Sequence, residues 1–409
     1  MWRLAVPRGL LTLTPVRRMY LVAFCSSLGY MAANAVFPPF ARELGYDVAA
    51  VGALMAIYAV ASLLSRLPTG ALVHGPRALL AAAAAALLQA GTTAAYPLID
   101  GYGGLLALRG AGGMAFGVVT TVNMALLMGT IERPEQRGAA TGWYLFWMAA
   151  AYSVGNYVSG FLVDTLGYGL TFQLAALVTL GVLPLLKGRS EGRREPVPAP
   201  HRAESFALRD LRRMASTALL VPALQAFTVN ALSQLMWVFY PLYGLSVGLS
   251  LGLLGVQRGA YSSASMLTRP FVGQAGQRLR YSRIGTVALT ISAVLTVLVP
   301  LFTGFWPLLA LNIALGGLRS GALVASMAAT IEHGGNDTRQ RGLAAGLYNF
   351  ATDAGNILGP LLGGVVAEQL GLPMMFVIMP VLLLGGYLGL LGASRVAVAR
   401  QRGLGRAET

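Results

Sequence analysis

Apolar positions along this chain neither alternate nor mark one helical face. They run nearly unbroken for about 20 residues at a time, which is the length a helix needs to cross a bilayer. Twelve such runs are read at 19–40, 48–70, 77–98, 103–130, 139–163, 168–187, 217–244, 249–272, 284–304, 307–330, 343–366 and 373–394. Barrel strands would be about half as long and would alternate in polarity. The pattern predicts an all-α membrane protein with twelve transmembrane helices.

The runs fall into two groups of six. Between them "KGRSEGRREPVPAPHRAESFALRDLRR", rich in Arg, Glu and Pro, breaks the hydrophobic pattern. The expected organisation is a tail (1–18), a six-helix bundle (19–187), a linker (188–216), a second six-helix bundle (217–394) and a tail (395–409). The bundles resemble each other. Shifting 137–172 by 204 positions matches 12 of 36 residues, among them Arg137/Arg341, Gly142/Gly346, Tyr144/Tyr348, Gly155/Gly359 and Gly160/Gly364. Shifting 58–70 by 203 matches six of 13, among them Tyr58/Tyr261, Ser62/Ser265 and Arg66/Arg269. Six helices separate each pair, so both copies run in one direction. Two pseudo-symmetric six-helix bundles about an axis along the membrane normal follow, with a site expected near the midplane.

Composition agrees: 56% of the 409 residues are hydrophobic and 11% charged, against about a quarter charged in soluble domains. The net charge of +15 reflects topology and excludes a nucleic-acid reading. With the N-terminus inside, 26 of the 30 Lys+Arg lie in inner-face loops, tails and helix ends, which predicts both termini in the cytoplasm. Inner-face arginines are also placed to touch membrane lipids. The 29 Arg to one Lys, with abundant Ala, Leu and Gly, associate the chain with a GC-rich bacterial genome and hence a bacterial inner membrane. The first 18 residues are read as a retained tail. Cys25 is the only cysteine, so no intrachain disulfide forms.

Three stretches resemble motifs of the major facilitator superfamily, and the resemblance covers essentially the whole chain. "RLPTGALVHGPR" resembles a reduced form of the family's G-x-x-x-D-R-x-G-R-R gating loop. Gly70 fits, His74 stands at the acid position, and Arg77 remains of the basic tail. Its repeat keeps Gly273 and Arg278, with Gln277 at the acid position. "RGAGGMAFG" resembles the R-x-x-x-G motif of the fourth span, on Arg109, Gly113 and Gly117. "GPLLGG" (Gly359, Pro360, Gly363, Gly364) matches the pattern that marks the fifth span of proton-coupled exporters, here displaced to the eleventh. The physical reading of Gly142, Gly155, Gly160 and their copies is close backbone approach. Pro360 removes one helix hydrogen bond. These helices either pack statically or bend as the halves rock.

Asp353 is the only one of the 15 acids placed within a span. Asn349 and Asn356 stand at i−4 and i+3 from it, on the same helical face. A carboxylate there costs a few kcal/mol unless paired or hydrated. It is either a proton-linked group or half of a fixed Asp–Arg pair. The resemblance implies that intramembrane acids carry coupling protons, and that spans one, four, seven and ten line the cavity, flanked by two, five, eight and eleven. On those spans lie Arg109, Arg258 and Arg319, with Asn312 seven residues before Arg319, and the sets Tyr30/Asn34 and Asn230/Gln234/Trp237. Three arginines and one aspartate facing one cavity would favour an anion.

Nothing in the sequence points to enzyme chemistry. His74, His201 and His333 are each remote from any second His or Cys, and no phosphate-binding loop motif occurs. The expectation is a secondary transporter using alternating access, with no cofactor and a proton gradient as driving force. Its partners would be protons, lipids and a small-molecule substrate, either an organic anion or an acidic-headed amphiphile. It is expected to act as a monomer. The alternatives are a proton-coupled multidrug or metabolite efflux antiporter and a lipid or lysolipid translocator.

Overall fold

The computed structural model describes residues 14–72, 76–131, 133–186, 217–275, 280–333 and 338–407. Among them are helices and turns and no β-strand. The helices are α1 (Thr14–Glu43), α2 (Val48–Leu72), α3 (Pro76–Ala95), α4 (Tyr102–Gly129), α5 (134–166), α6 (168–186), α7 (217–246), α8 (Leu251–Ala275), α9 (Tyr281–Leu298), α10 (Phe305–His333), α11 (Thr338–Leu370) and α12 (Leu372–Ala407). Ten helical runs are long and apolar enough to cross a membrane. One of them, Glu135–Leu186, is broken at Gly167 into α5 and α6. Helix α8 falls outside the ten because Gln257, Arg258, Ser262, Ser263 and Ser265 dilute its apolar content. The twelve helices are those of the predicted fold.

Local chemistry sets the helix ends. Pro76 and Pro134 open α3 and α5 at a position whose N–H has no intrahelical acceptor. Gly167, between α5 and α6, takes φ 76°, and its repeat copy Gly371, between α11 and α12, takes φ 84°. A side chain is strained in this left-handed region, so the turn requires glycine. Helix α1 starts at Thr14 and α12 continues to Ala407. The segments expected as tails, 1–18 and 395–409, are therefore partly helical. Residues 1–13, the linker 188–216, His74, Gln277 and Arg278 lie outside the described residues.

The chain forms two compact units. One is Met1–Tyr46, Ala53–Ala203 and Gly244–Ser263. The other is Asp47–Gly52, Glu204–Tyr243 and Ala264–Thr409. In the first, Val16, Met19, Tyr20 and Ala23 of α1 pack against Leu127, Ile131, Ala140 and Tyr144. A second cluster joins Val22 to Ala78, Ala82, Ala86, Val119 and Val182. Large apolar side chains such as Leu80, Leu177, Phe271 and Trp306 remain exposed, as lipid-facing surfaces require. Several hydroxyls inside the helices are satisfied locally: Ser26, Thr69, Ser153 and Ser292 each donate to the carbonyl four residues earlier.

Glycines set the closest approaches. In the first unit, a Cβ on Gly113 would strike the Tyr58 carbonyl, one on Gly117 the Ser62 carbonyl, and one on Gly160 the Leu251 carbonyl. A Cβ on Gly155 would lie 3.0 Å from the Met31 Cβ. In the second unit, Gly355, Gly359 and Gly363 of α11 lie along α7 against Phe227, Ala231 and Leu235. Gly364 lies against Val48 and Ala49. Gly142 and Gly346 correct the expectation. Nothing stands within 4 Å of a Cβ at either, so their repeat identity is not explained by helix contact.

This geometry separates two kinds of glycine. Gly113→Leu must push α4 from α2 and is expected to abolish the monodisperse detergent-solubilised peak in size-exclusion chromatography. Gly142→Leu is expected to leave that peak intact. Equal behaviour of the two variants would contradict the packing assignment.

Candidate functional site

The R-x-x-x-G stretch of α4 acts through its spacing. Arg109, Gly113 and Gly117 repeat every four residues on one face of α4. They meet Leu54, Tyr58 and Ser62, which repeat every four residues on α2. The two glycines draw the backbones together, and one turn further on the Arg109 side chain reaches the Leu54 carbonyl, with Nε donating at 3.1 Å. Its Nη2 donates to Asn34 Oδ1 at 3.0 Å and lies 3.1 Å from Met55 Sδ. The guanidinium carbon sits 4.4 Å from the Phe37 ring centroid and 4.5 Å from that of Tyr58. Tyr30 stacks on Tyr58 and on Phe116, at 5.2 and 4.3 Å. Arg109 is only 2% exposed. Its charge is met by neutral dipoles and two aromatic faces, each cation–π contact worth about 2 kcal/mol when desolvated.

Arg258 of α8 is also buried, at 5% exposure, and its Nη1 donates to the Ala35 carbonyl of α1 at 2.5 Å. Close by in sequence, Ser262 Oγ accepts from Asn156 Nδ2 of α5 at 3.3 Å. Tyr157 Oη and Ser263 Oγ are 3.5 Å apart. The first unit therefore holds two buried arginines on carbonyl and amide oxygens.

In the second unit Asp353 is half-buried, Asn349 exposed and Asn356 half-buried. Asn356 Oδ1 accepts from Gln234 Nε2 of α7 at 3.0 Å, which joins α11 to α7 beside Gly355 and Gly359. Arg319 of α10 is half-buried, and its Nε donates to Ser233 Oγ of α7 at 2.8 Å. Asn230 and Asn312 are buried, and each donates to a carbonyl of its own helix, Ala226 and Leu308. Trp237 is half-buried.

The structure thus divides the expected binding set by exposure. Arg109, Arg258, Asn34, Asn230 and Asn312 are enclosed and engaged, so as placed they offer no open binding surface. Membrane burial forces this: a polar group with no water must find a protein partner. Asp353, Asn349, Arg319, Gln234, Asn356, Tyr30 and Trp237 keep partial or full exposure. Of the gating stretch, Arg77 and Gly70 are exposed, and Gly70 has no neighbour within 4 Å of a Cβ. Gly273 falls in α8. Sequence reading missed the Arg109 holders Leu54, Met55 and Phe37. The α2 positions 54, 58 and 62, spaced like the α4 motif, were the available signal.

The chain matches the Major Facilitator Superfamily over residues 19–257 and 237–408, and it belongs to that family. It is a multi-pass membrane transporter, and not an enzyme. A multidrug resistance protein, MdtG, of Dickeya zeae (strain Ech586) is 25% identical over 279 residues, 67% of each chain. The solved nucleoside transporter NupG superposes with TM-score 0.73 at 12% identity, covering 93% of this chain and 99% of that one. A bacterial homologue of the human lysosomal transporter Spinster superposes with TM-score 0.72 at 14% identity, covering 93% and 92%. These two likenesses establish the shared fold.

Removing the Arg109 side chain leaves the Asn34 acceptor without its donor and opens a void between two rings. Arg109→Ala is expected to lower unfolding stability in detergent by about 2–4 kcal/mol. Arg109→Lys is expected to recover less than half of that, because an ammonium lacks the planar fork. An unchanged denaturation midpoint in Arg109→Ala would contradict the structural assignment.

Proposed function

We propose that this protein is a proton-driven secondary transporter that exports small organic amphiphiles by alternating access. The observation that carries the reading is the enclosure of Arg109 and Arg258. With both side chains enclosed, Arg109 among neutral partners and Arg258 on the Ala35 carbonyl, the preference for anions loses two of its three cations. Of the expected site residues, the charged groups left accessible are one carboxylate, Asp353, and one guanidinium, Arg319, with Asn349, Asn356, Gln234, Tyr30 and Trp237 as the uncharged ones. A single acid in the middle of the glycine-rich α11 suits reversible protonation, since its charged form is costly at mid-membrane and protonation removes that cost. The similarity to a multidrug resistance protein supports export of chemically diverse compounds.

Asp353 is the proton-linked group in this account, and Arg319 adjusts its charge state or meets the polar head of the substrate. The protein is placed in a bacterial inner membrane with both termini cytoplasmic, on the distribution of its arginines. It works as a monomer of two six-helix halves joined by the linker 188–216. The second reading, transport of an organic anion, is favoured by Arg319 alone.

Proteoliposomes loaded with a fluorescent lipophilic cation test the proton role. Asp353→Asn is expected to abolish dye movement driven by a pH gradient while leaving dye exchange at equal pH. Full pH-driven movement in the variant would contradict the assignment.

A further inference from the structure

Two carboxylates outside the site occupy equivalent places in the repeat. Asp164 ends α5, and 204 residues later Glu368 stands near the end of α11. Asp164 Oδ2 accepts a hydrogen bond from the backbone N–H of Gly252, the second residue of α8, at 2.8 Å. Glu368 Oε2 accepts one from the backbone N–H of Val48, the first residue of α2, also at 2.8 Å. Both donors belong to a helix's first turn, where N–H groups have no intrahelical acceptor and the helix carries partial positive charge. Each acid therefore fastens the end of one helix to the start of another.

These helix starts do not need the borrowed acid in order to form. Helix α2 has its own cap, with Ala50 N–H donating to Asp47 Oδ1 at 2.6 Å. Helix α8 has its own in the equivalent place, with Leu253 N–H donating to Ser250 Oγ at 3.3 Å. The second acceptor at each start joins helices rather than nucleating them. Directly beneath it the backbones touch. A Cβ on Gly160 would fall on the Leu251 carbonyl, and one on Gly255 would lie 2.7 Å from the Asn156 carbonyl. On the other side, a Cβ on Gly52 would fall on the Pro360 carbonyl, and Gly364 lies against Val48 and Ala49. At these points backbone meets backbone, and along the rest of the first seam the Phe161 and Tyr157 rings lie on Gly252 and Gly259 and so leave flat glycine faces to part from. Asp164 and Glu368 are themselves exposed, so water replaces the hydrogen bond when it breaks.

We propose that Asp164 and Glu368 are a matched pair of positioning residues, latches that hold α5 to α8 and α11 to α2, and that both release whenever the transporter opens at the end of the helices carrying these turns. The proposal rests on the alternating-access reading above. Its test needs neither substrate nor protons, so failure of the export or coupling assignment leaves its outcome interpretable.

Ser262 is buried on α8 beneath the first latch. With Cys25→Ser removing the only native thiol, Ser262→Cys provides a reporter. Its reaction with a membrane-impermeant maleimide is followed in right-side-out and inverted vesicles, so membrane orientation is read directly. Asp164→Asn and Glu368→Gln keep an acceptor oxygen and lose the charge. Each is expected to accelerate labelling from one side about five-fold. The double variant is expected to reach about 25-fold, because two contributions to one closed–open equilibrium multiply. Unchanged labelling in the double variant overturns the proposal. A lowered melting temperature with unchanged labelling assigns the acids to helix-end stability alone and overturns it too. Acceleration by only one of the two substitutions overturns the pairing.

Discussion

The contact of Gly113 with the Tyr58 carbonyl is the constraint from which much of the first unit follows. Between helices in lipid, little is gained by expelling water, so association depends on fit and on hydrogen bonds. Glycine at 113 and 117 removes the side chains that would hold α4 away from α2. Only at that spacing does Arg109 reach Leu54, and only there do the Phe37 and Tyr58 rings close over its guanidinium. The arginine in turn fixes Asn34 on α1. Three helices are registered by one residue whose charge would be intolerable without them.

The second unit solves the same problem differently. Helix α11 lies on α7 through Gly355, Gly359 and Gly363, and the Gln234–Asn356 hydrogen bond pins the register. Among the described residues no buried arginine takes part in that seam. The two halves descend from one repeat, visible in Gly155/Gly359 and Gly160/Gly364, yet their polar contents have diverged. Where the first half has Ala149, the second has Asp353. The first half holds the enclosed Arg109, and the second holds the enclosed Arg258 together with Asp353, the acid of the proposed proton chemistry.

The fold was legible in the sequence because membrane spans are written as long apolar runs, and the twelve expected runs match α1–α12 to within a few residues, apart from the extended first, fifth, eleventh and twelfth helices and the ninth, which ends six residues before the expected 304. The break at Gly167 was legible as a turn between two runs. Orientation of polar side chains was not legible. A helical wheel places Arg109, Asn34 and Asn312 on faces but does not say which neighbour they meet. Asn312 turned back on its own helix, while Arg109 met an aromatic cage contributed by two others. Gly142 and Gly346 carry the repeat as clearly as Gly160 and Gly364, yet only the latter pair touch another helix. Identity between repeats records ancestry and cannot by itself distinguish contact from inheritance.

With Arg109 and Arg258 enclosed, the proposed transport does not rest on a positive cavity. The direct measurement is thermal stability of the purified protein against matched panels of organic anions, lipophilic cations and lysolipids, at pH 6 and pH 8, since a ligand that prefers the folded state raises the melting temperature. The account predicts stabilisation by lipophilic cations and neutral amphiphiles at least equal to that by anions, with a pH dependence that disappears in Asp353→Asn. Stabilisation by anions alone, retained in Asp353→Asn, would contradict it.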